Sequence, residues 1–386
     1  MRIGIFFDVF YPYLGGGAEN RYWQVARQLV THGDKVLVIT SRLAGCPRFE
    51  TLFDDKLEIH RVGFPSHPMT KRSRGTLPGY FASLILNARL VEECDILDLS
   101  GYAGALAGRL VSVLKKKPRV FTVHDLFIGQ WSFQRNLASS ILGTTADWLV
   151  GLVNSQGYFV AVSTAVKRKI IESLGIDPDH VHVVPNGVDF EGIRKITEDV
   201  RKDTNRVVYV GRLIKPKNVE QVLKLVSELR KLGFDIEADI VGDGSEREKL
   251  EAFSSTLHLS GKVKFWGLMR HEQVAKLVSS ATMFVNPSFF EGFGLTLLEA
   301  MAAGTPVVAY DLEGYREYAR DGQNCLLAPR YDFGQLLNRA ARILSDPPTA
   351  NRISRSGIET ARQFDWEKTA EKVRNVYSSI LSYEAS

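Results

Sequence analysis

Short, unbroken runs of Val, Ile and Phe, each followed by a longer helical pattern, recur along almost the whole of this 386-residue chain. The first set is RIGIFF (2–7), KVLVIT (35–40), LEIHRV (57–62), ILDL (96–99), RVFTVH (119–124) and YFVAVS (158–163). A strand that is apolar on successive residues must be covered on both faces, which is the condition of a parallel sheet between two helix layers. Between the first two runs, ENRYWQVARQLVTHG (19–33) has a helical repeat and closes on Gly33 in a C-cap position. The cycle restarts with RVVYVG (206–211), FDIEADIVG (234–242), VKFWG (263–267), MFVNPS (283–288) and PVVAY (306–310). The expected fold class is therefore α/β, with two Rossmann-like, doubly wound parallel-sheet domains facing across a cleft. We place them at residues 1–188 and 189–365, with 366–386 a C-terminal helix packing back toward the first domain. Sheets of this kind bind ligands beyond the carboxyl ends of their strands, so that is where chemistry is to be sought.

The bulk numbers narrow the class. With 45% hydrophobic and 24% charged residues the chain is an ordinary globular protein, and disorder is excluded as its main state. A net charge of +5 suits anionic small molecules or an anionic membrane surface, whereas a nucleic-acid binder carries a denser basic patch. Cys46, Cys94 and Cys325 have no paired spacing, which argues for a reducing compartment and against a disulfide framework or a zinc site. Met1-Arg2 runs straight into a strand pattern, so no leader peptide is expected. The most apolar window, ILGTTADWLVGLV (141–153), is interrupted by Asp147 and too short to span a bilayer. A cytoplasmic location follows as the expectation.

Three stretches carry candidate chemistry. After the first strand, YPYLGGGAEN (11–20) puts Gly15, Gly16 and Gly17 just before a helix, where a backbone can approach an anion. It is not a dinucleotide fingerprint, because Asn20 stands where the last glycine is required, and VGDGSE (241–246) fails at Arg247. A plain flexible turn therefore remains an open reading of the glycine loop. VGRLIKPKN (210–218) ends a strand with Arg212 and Lys217, a fork and a point charge able to clamp a diphosphate; a solvated basic turn is the alternative. Finally, FFEGFGLTLLEAMAAGTPVVAY (289–310) sets Glu291 in a glycine-flanked loop and Glu299 in the second turn of a helix starting near Gly294. An acid packed against a core costs several kcal/mol (order of magnitude) unless it is paired. The N–H groups of Phe293, Gly294 and Leu295 would point out of that helix N-terminus toward phosphate oxygens, and carboxylates suit the diols of ribose and hexose. A helix-start acid favouring the dipole would explain either Glu singly.

The spaced pair in EGFGLTLLEAMAAGTPVVA, with VGRL…K and VPNGVD (184–189), resembles the large family of retaining, nucleotide-sugar-dependent glycosyltransferases of the GT-B fold, family 4-like and also called glycosyl transferases group 1. The GGGAE loop fits that family's first-domain loop, and the likeness covers nearly the whole chain. It implies that Glu299 holds the donor ribose, Glu291 the hydroxyls of the transferred sugar, and the N–H groups of 293–295 the distal phosphates. Arg212 and Lys217 would neutralise the leaving diphosphate. Gly16 and Gly17 would approach the diphosphate or the acceptor, and His124, at a strand end, would stand near the sugar. A satisfied strand-end histidine is the other reading of His124. The family usually has glycine where Asn218 stands; Asn tolerates left-handed geometry, so the turn can survive.

No cofactor is expected beyond the substrate, a UDP- or GDP-linked sugar, and no metal. The Asp-Pro-Asp at 177–179 sits in a turn where those residues belong. With no double-displacement pair in view, the resemblance implies a front-face route in which the departing phosphate oxygen deprotonates the acceptor hydroxyl. The acceptor, a lipid, a glycan or a small molecule, is not legible. Lys71-Arg72-Ser73-Arg74, Lys115-Lys116-Lys117 and FIGQWSFQR (127–135) could rest on anionic lipid or be solvated faces. Two rival readings, a nucleotide-sugar epimerase and a non-catalytic sugar-nucleotide-binding subunit, would respectively need a proton-transfer pair or tolerate loss of the clamp.

Overall fold

The computed structural model describes residues 1–66, 77–126, 137–203 and 205–384. The basic run at 71–74 and the segment 127–135 lie outside them. Two compact units are present: one comprises the described residues up to Gly187 plus the chain from Trp366 onward, the other Val188–Asp365.

The first unit is built on eight strands: β1 (Arg2–Phe6), β2 (Lys35–Leu43), β3 (Phe49–Leu52), β4 (Leu57–Ser66), β5 (Ile96–Leu99), β6 (Arg119–Val123), β7 (Tyr158–Ala161) and β8 (Val181–Val183). Their order is β3-β4-β2-β1-β5-β6-β7-β8, parallel except for the β3–β4 pair. The central strands are the unbroken apolar runs of the sequence. Ile3, Ile5, Phe6, Val38, Ile39, Ile96 and Leu97 have no exposed surface, as a sheet clad on both faces demands. β3 and the strand Leu326–Ala328 of the second unit were not anticipated. Both are short edge strands; FETL at β3 lacks a continuous apolar run because none of its residues is buried, and Leu326–Ala328 is only three residues long.

The C-terminal helix Trp366–Glu384 belongs to this unit. Tyr377 donates a buried hydrogen bond to Asp98, Arg374 pairs with the buried Asp34 at 2.9 Å, and the Thr369 hydroxyl donates to the carbonyl of Pro185.

The second unit has six parallel strands, β9 (Arg206–Val210), β10 (Glu237–Val241), β11 (Val263–Gly267), β12 (Met283–Asn286), β13 (Val307–Tyr310) and β14 (Leu326–Ala328), ordered β11-β10-β9-β12-β13-β14. In each sheet the strand order reverses once, between β1 and β5 and between β9 and β12. The crevice beyond the strand ends opens at such a reversal. The glycine loop follows β1; the Arg212–Lys217 segment follows β9; the Glu291 loop follows β12.

Candidate active site

In the second unit, the loop after β9 is clasped by the loop after β10. Gly211 N–H donates to Val241 O at 3.0 Å, Leu213 N–H to Asp243 O at 2.9 Å, and Glu246 N–H to Leu213 O at 2.9 Å. A Cβ at Gly242 would stand 1.9 Å from the Gly211 oxygen, and one at Gly244 would stand 2.3 Å from that of Leu213. The VGDGSE glycines are therefore a backbone-packing device beneath Arg212. Leu213 is buried and Arg212 exposed, so the clasp fixes the main chain and leaves the guanidinium outside.

A single 3-10 turn, Lys215–Lys217, follows on the buried Pro216. It stops at Asn218, whose φ of 51° and ψ of 39° are left-handed. Asn thus takes the conformation for which a glycine was the expected residue, and its side-chain amide donates to Pro287 O at 3.2 Å. The turn delivers Lys217 Nζ to 2.5 Å from Glu291 Oε1, and the Ser288 hydroxyl donates to the same oxygen at 2.9 Å. Sequence placed the more buried acid on the helix; the structure reverses this. The Glu291 side chain is 12% exposed and that of Glu299 is 24%. The loop acid is the one taken out of water, and it carries a cation and a hydroxyl to offset that cost.

Helix Leu295–Ala302 begins after Gly294, whose φ is +81°. The N–H groups of Phe293, Gly294, Leu295 and Thr296 make no backbone hydrogen bond. The carbonyls of Gly294 and Phe293 instead accept from the buried Tyr318 hydroxyl, at 2.7 and 3.1 Å. With these carbonyls tied to Tyr318, the unpaired amides form a set of donors at the positive end of a helix dipole. Glu299, one turn on, stands 3.7 Å from His271 Nε2. Interaction with this carboxylate holds the imidazole above its usual value, against a smaller lowering by desolvation. Beside this pair a pocket is walled by Val210, Val274, Val278 and Ala300, with Thr296 and Glu299 as polar lining.

Several residues here escaped the sequence reading. Ser288, His271, Tyr209 and Tyr318 are all within the constellation, and Tyr209 Oη donates to Arg212 O at 3.2 Å. Burial, then the Glu291 charge, pushes both phenols well up, so each remains a donor. The signal available was a tyrosine inside an otherwise aliphatic parallel strand, since its hydroxyl must find a partner.

In the first unit, Gly16 is the extended N-cap of helix Gly17–Thr31, with Glu19 in the first turn. His124 follows β6 directly, with Tyr22 edge-on at 5.5 Å and Phe7 at 6.3 Å. Its Nε2 is sealed from solvent without a hydrogen-bond partner. Desolvation, reinforced by the Arg21 charge, pushes the imidazole down to about 3, so it is neutral at physiological pH. Arg21 is itself buried and donates to Val184 O at 3.0 Å and to Asn186 Oδ1 at 2.7 Å. The Asn of VPNGVD is thus a ligand for a buried guanidinium, and its Asp189 caps the helix Phe190–Thr197 by accepting from Gly192 N–H. Asp177 of the Asp-Pro-Asp turn accepts from Asp179 N–H, a turn-capping use of that carboxylate.

So the structure gathers Lys217, Glu291, Phe293, Gly294 and Leu295 around one loop, with Arg212 beside it through Tyr209 and Glu299 a turn away. Gly16, Gly17 and His124 belong to the other unit. This arrangement of two reversed parallel sheets, each with its loops at the strand ends, is the GT-B architecture. The sucrose-phosphate synthase of Thermosynechococcus elongatus shares it with a TM-score of 0.86 at 21% identity over 100% of both chains. Anabaena HepE in complex with UDP-glucose shares it with a TM-score of 0.76 at 21% identity, over 98% of this chain and 100% of the other. The family models described as Glycosyltransferase Family 4 and Glycosyl transferases group 1 match residues 15–191 and 193–360. The phosphatidyl-myo-inositol mannosyltransferase of Mycobacterium leprae is 31% identical, across 99% of this chain and 98% of its own. The chain belongs to the group 1 glycosyltransferases and is an enzyme of glycosyl transfer.

Proposed function

We propose that this enzyme moves a sugar from a UDP- or GDP-linked donor to a hydroxyl of a lipid, glycan or small molecule, with retention and without a metal. The observation that carries the reading is the set of amides without backbone partners at residues 293–296, in the loop whose Glu291 meets the Lys217 ammonium. Such a set of donors with a nearby cation is built for a diphosphate. The apolar walls beside Glu299 suit a nucleobase, with the carboxylate accepting from ribose hydroxyls. Glu291 then accepts from hydroxyls of the transferred sugar. UDP-glucose in the HepE complex and a mannosyltransferase among the relatives support a sugar nucleotide as donor.

In the proposed step the bond from the anomeric carbon to the diphosphate oxygen breaks. The acceptor oxygen bonds to that carbon on the same face, and its proton passes to the departing phosphate oxygen. Arg212, Lys217 and the four amides meet the charge as it grows, which is where preorganised donors are most effective. Neutral His124 and the backbone at Gly16 and Gly17 serve positioning of the sugar and the acceptor side. Thermal shift of the purified protein with UDP-, GDP- and ADP-sugars, then mass spectrometry of acceptor extracts with the best donor, tests this. A protein stabilised by none of these nucleotides overturns it.

A further inference from the structure

Three helices of the first unit are nearly free of charged residues. Leu77–Leu86 contains no charged residue, Ala103–Leu114 contains Arg109 alone, and Leu137–Val153 contains Asp147 alone. Each makes a hydrogen bond within the layer. Arg109 Nε donates to Val153 O at 3.2 Å, and Asp147 Oδ1 accepts from Tyr102 Oη at 2.6 Å. These two bonds also pin the second and third helices side by side. Each of the three helices links one strand to the next in the direction from β4 to β7. Right-handed crossovers therefore put all three on one face of the sheet.

The exposed positions follow helical spacing. In Leu137–Val153 the outward stripe is Ile141, Thr145, Trp148, Leu149 and Leu152, with Ile141 60% exposed and Leu152 46%. In Ala103–Leu114 the stripe ends in Leu110, Val113 and Leu114, the last 67% exposed. An amphipathic surface helix puts its polar residues there; these put leucine and tryptophan there. Helix Gly17–Thr31, by contrast, turns Gln24, Arg27 and Gln28 outward. Large apolar surface of this kind marks an interaction site.

Charge names the partner. The apolar stripe of Ala103–Leu114 runs directly into Lys115, Lys116 and Lys117, and Arg89 joins Lys115 and Lys117 around Glu92. Lys116 is exposed. Apolar side chains bordered by a cationic cluster match an anionic bilayer surface, in which leucine and tryptophan enter the interface and lysines meet lipid phosphates. We propose that this helix layer docks the enzyme on an anionic membrane. Among the described residues no helix is long and apolar enough to cross one, so the contact lies on the surface. The docking is separate from the transfer reaction and is read without it.

The test is flotation of the full chain with phosphatidylcholine vesicles, with and without phosphatidylglycerol, at low and high salt. Wild type floats with the anionic vesicles, and salt weakens the association. Leu149→Glu with Leu152→Glu reduces bound protein roughly tenfold or more, with the melting temperature unchanged. Lys116→Glu reduces it by roughly fivefold or more on anionic vesicles, and decides the matter should the leucine variant misfold. Absence of flotation overturns the proposal, as does flotation indifferent to these substitutions. A concentration-dependent dimer dissociated by Leu149→Glu/Leu152→Glu, without vesicle binding, assigns the face to a second copy instead and also overturns it.

Discussion

Gly294→Ala is the sharpest perturbation of the proposed anion cradle. At a φ of +81° a residue bearing a Cβ costs about 1–2 kcal/mol. The added Cβ would stand 2.3 Å from Tyr315 Cε1 and 2.7 Å from its Cδ1. Tyr315 is fully buried, so its ring cannot swing aside, and forced overpacking adds about 1–3 kcal/mol. The sum, about 2–5 kcal/mol, lowers the melting temperature of a unit this size by about 4–20 °C. Gly261→Ala is the control. Its φ is +77°, and nothing lies within 4 Å of the new Cβ. That variant loses the backbone share only, about 2–8 °C. The unfolded-state entropy change is common to both and drops out of the comparison. Calorimetry with UDP completes the assay: affinity falls in Gly294→Ala, because the displaced loop carries the donor amides, and is kept in Gly261→Ala. Equal destabilisation of the two variants would refute the packing argument. Undiminished UDP affinity in Gly294→Ala would refute the cradle.

Arg212→Ala with Lys217→Ala is expected to depress kcat far more than donor affinity if the clamp serves departing charge, and equal losses in steady-state kinetics mean ground-state binding alone. His271 has its folded pKa raised by Glu299, so its contribution to stability is full below about 6.5 and is lost as pH rises through the raised value. Glu299→Gln should lower the histidine titration seen by NMR, and an unmoved titration contradicts the pairing. His124 behaves oppositely, since its folded pKa is depressed to about 3. The unfolded chain takes up the proton first, so stability falls as pH drops from about 6.5 toward 3. His124→Gln should flatten that part of the melting-temperature profile, and an unaltered slope would show that the ring titrates normally.

The strands at the centres of both sheets were readable because a run apolar on both faces has few other places to go, and Gly294 marked its helix start by its place in the motif. Edge strand β3 was missed because partly exposed residues need no such run, and β14 because three residues are too short to show one. The burial order of Glu291 and Glu299 was also out of reach, because it depends on a turn 74 residues earlier in the chain that brings Lys217 to Glu291. So, too, were the tyrosines that tie the loop carbonyls and the pairing of Arg21 with Asn186. The sequence by itself determined the alternation of strands and helices, and with it where loops meet strand ends. Only the tertiary structure decided which polar groups meet, because hydrogen bonds and ion pairs act over a few ångströms in space and have no fixed spacing along the chain.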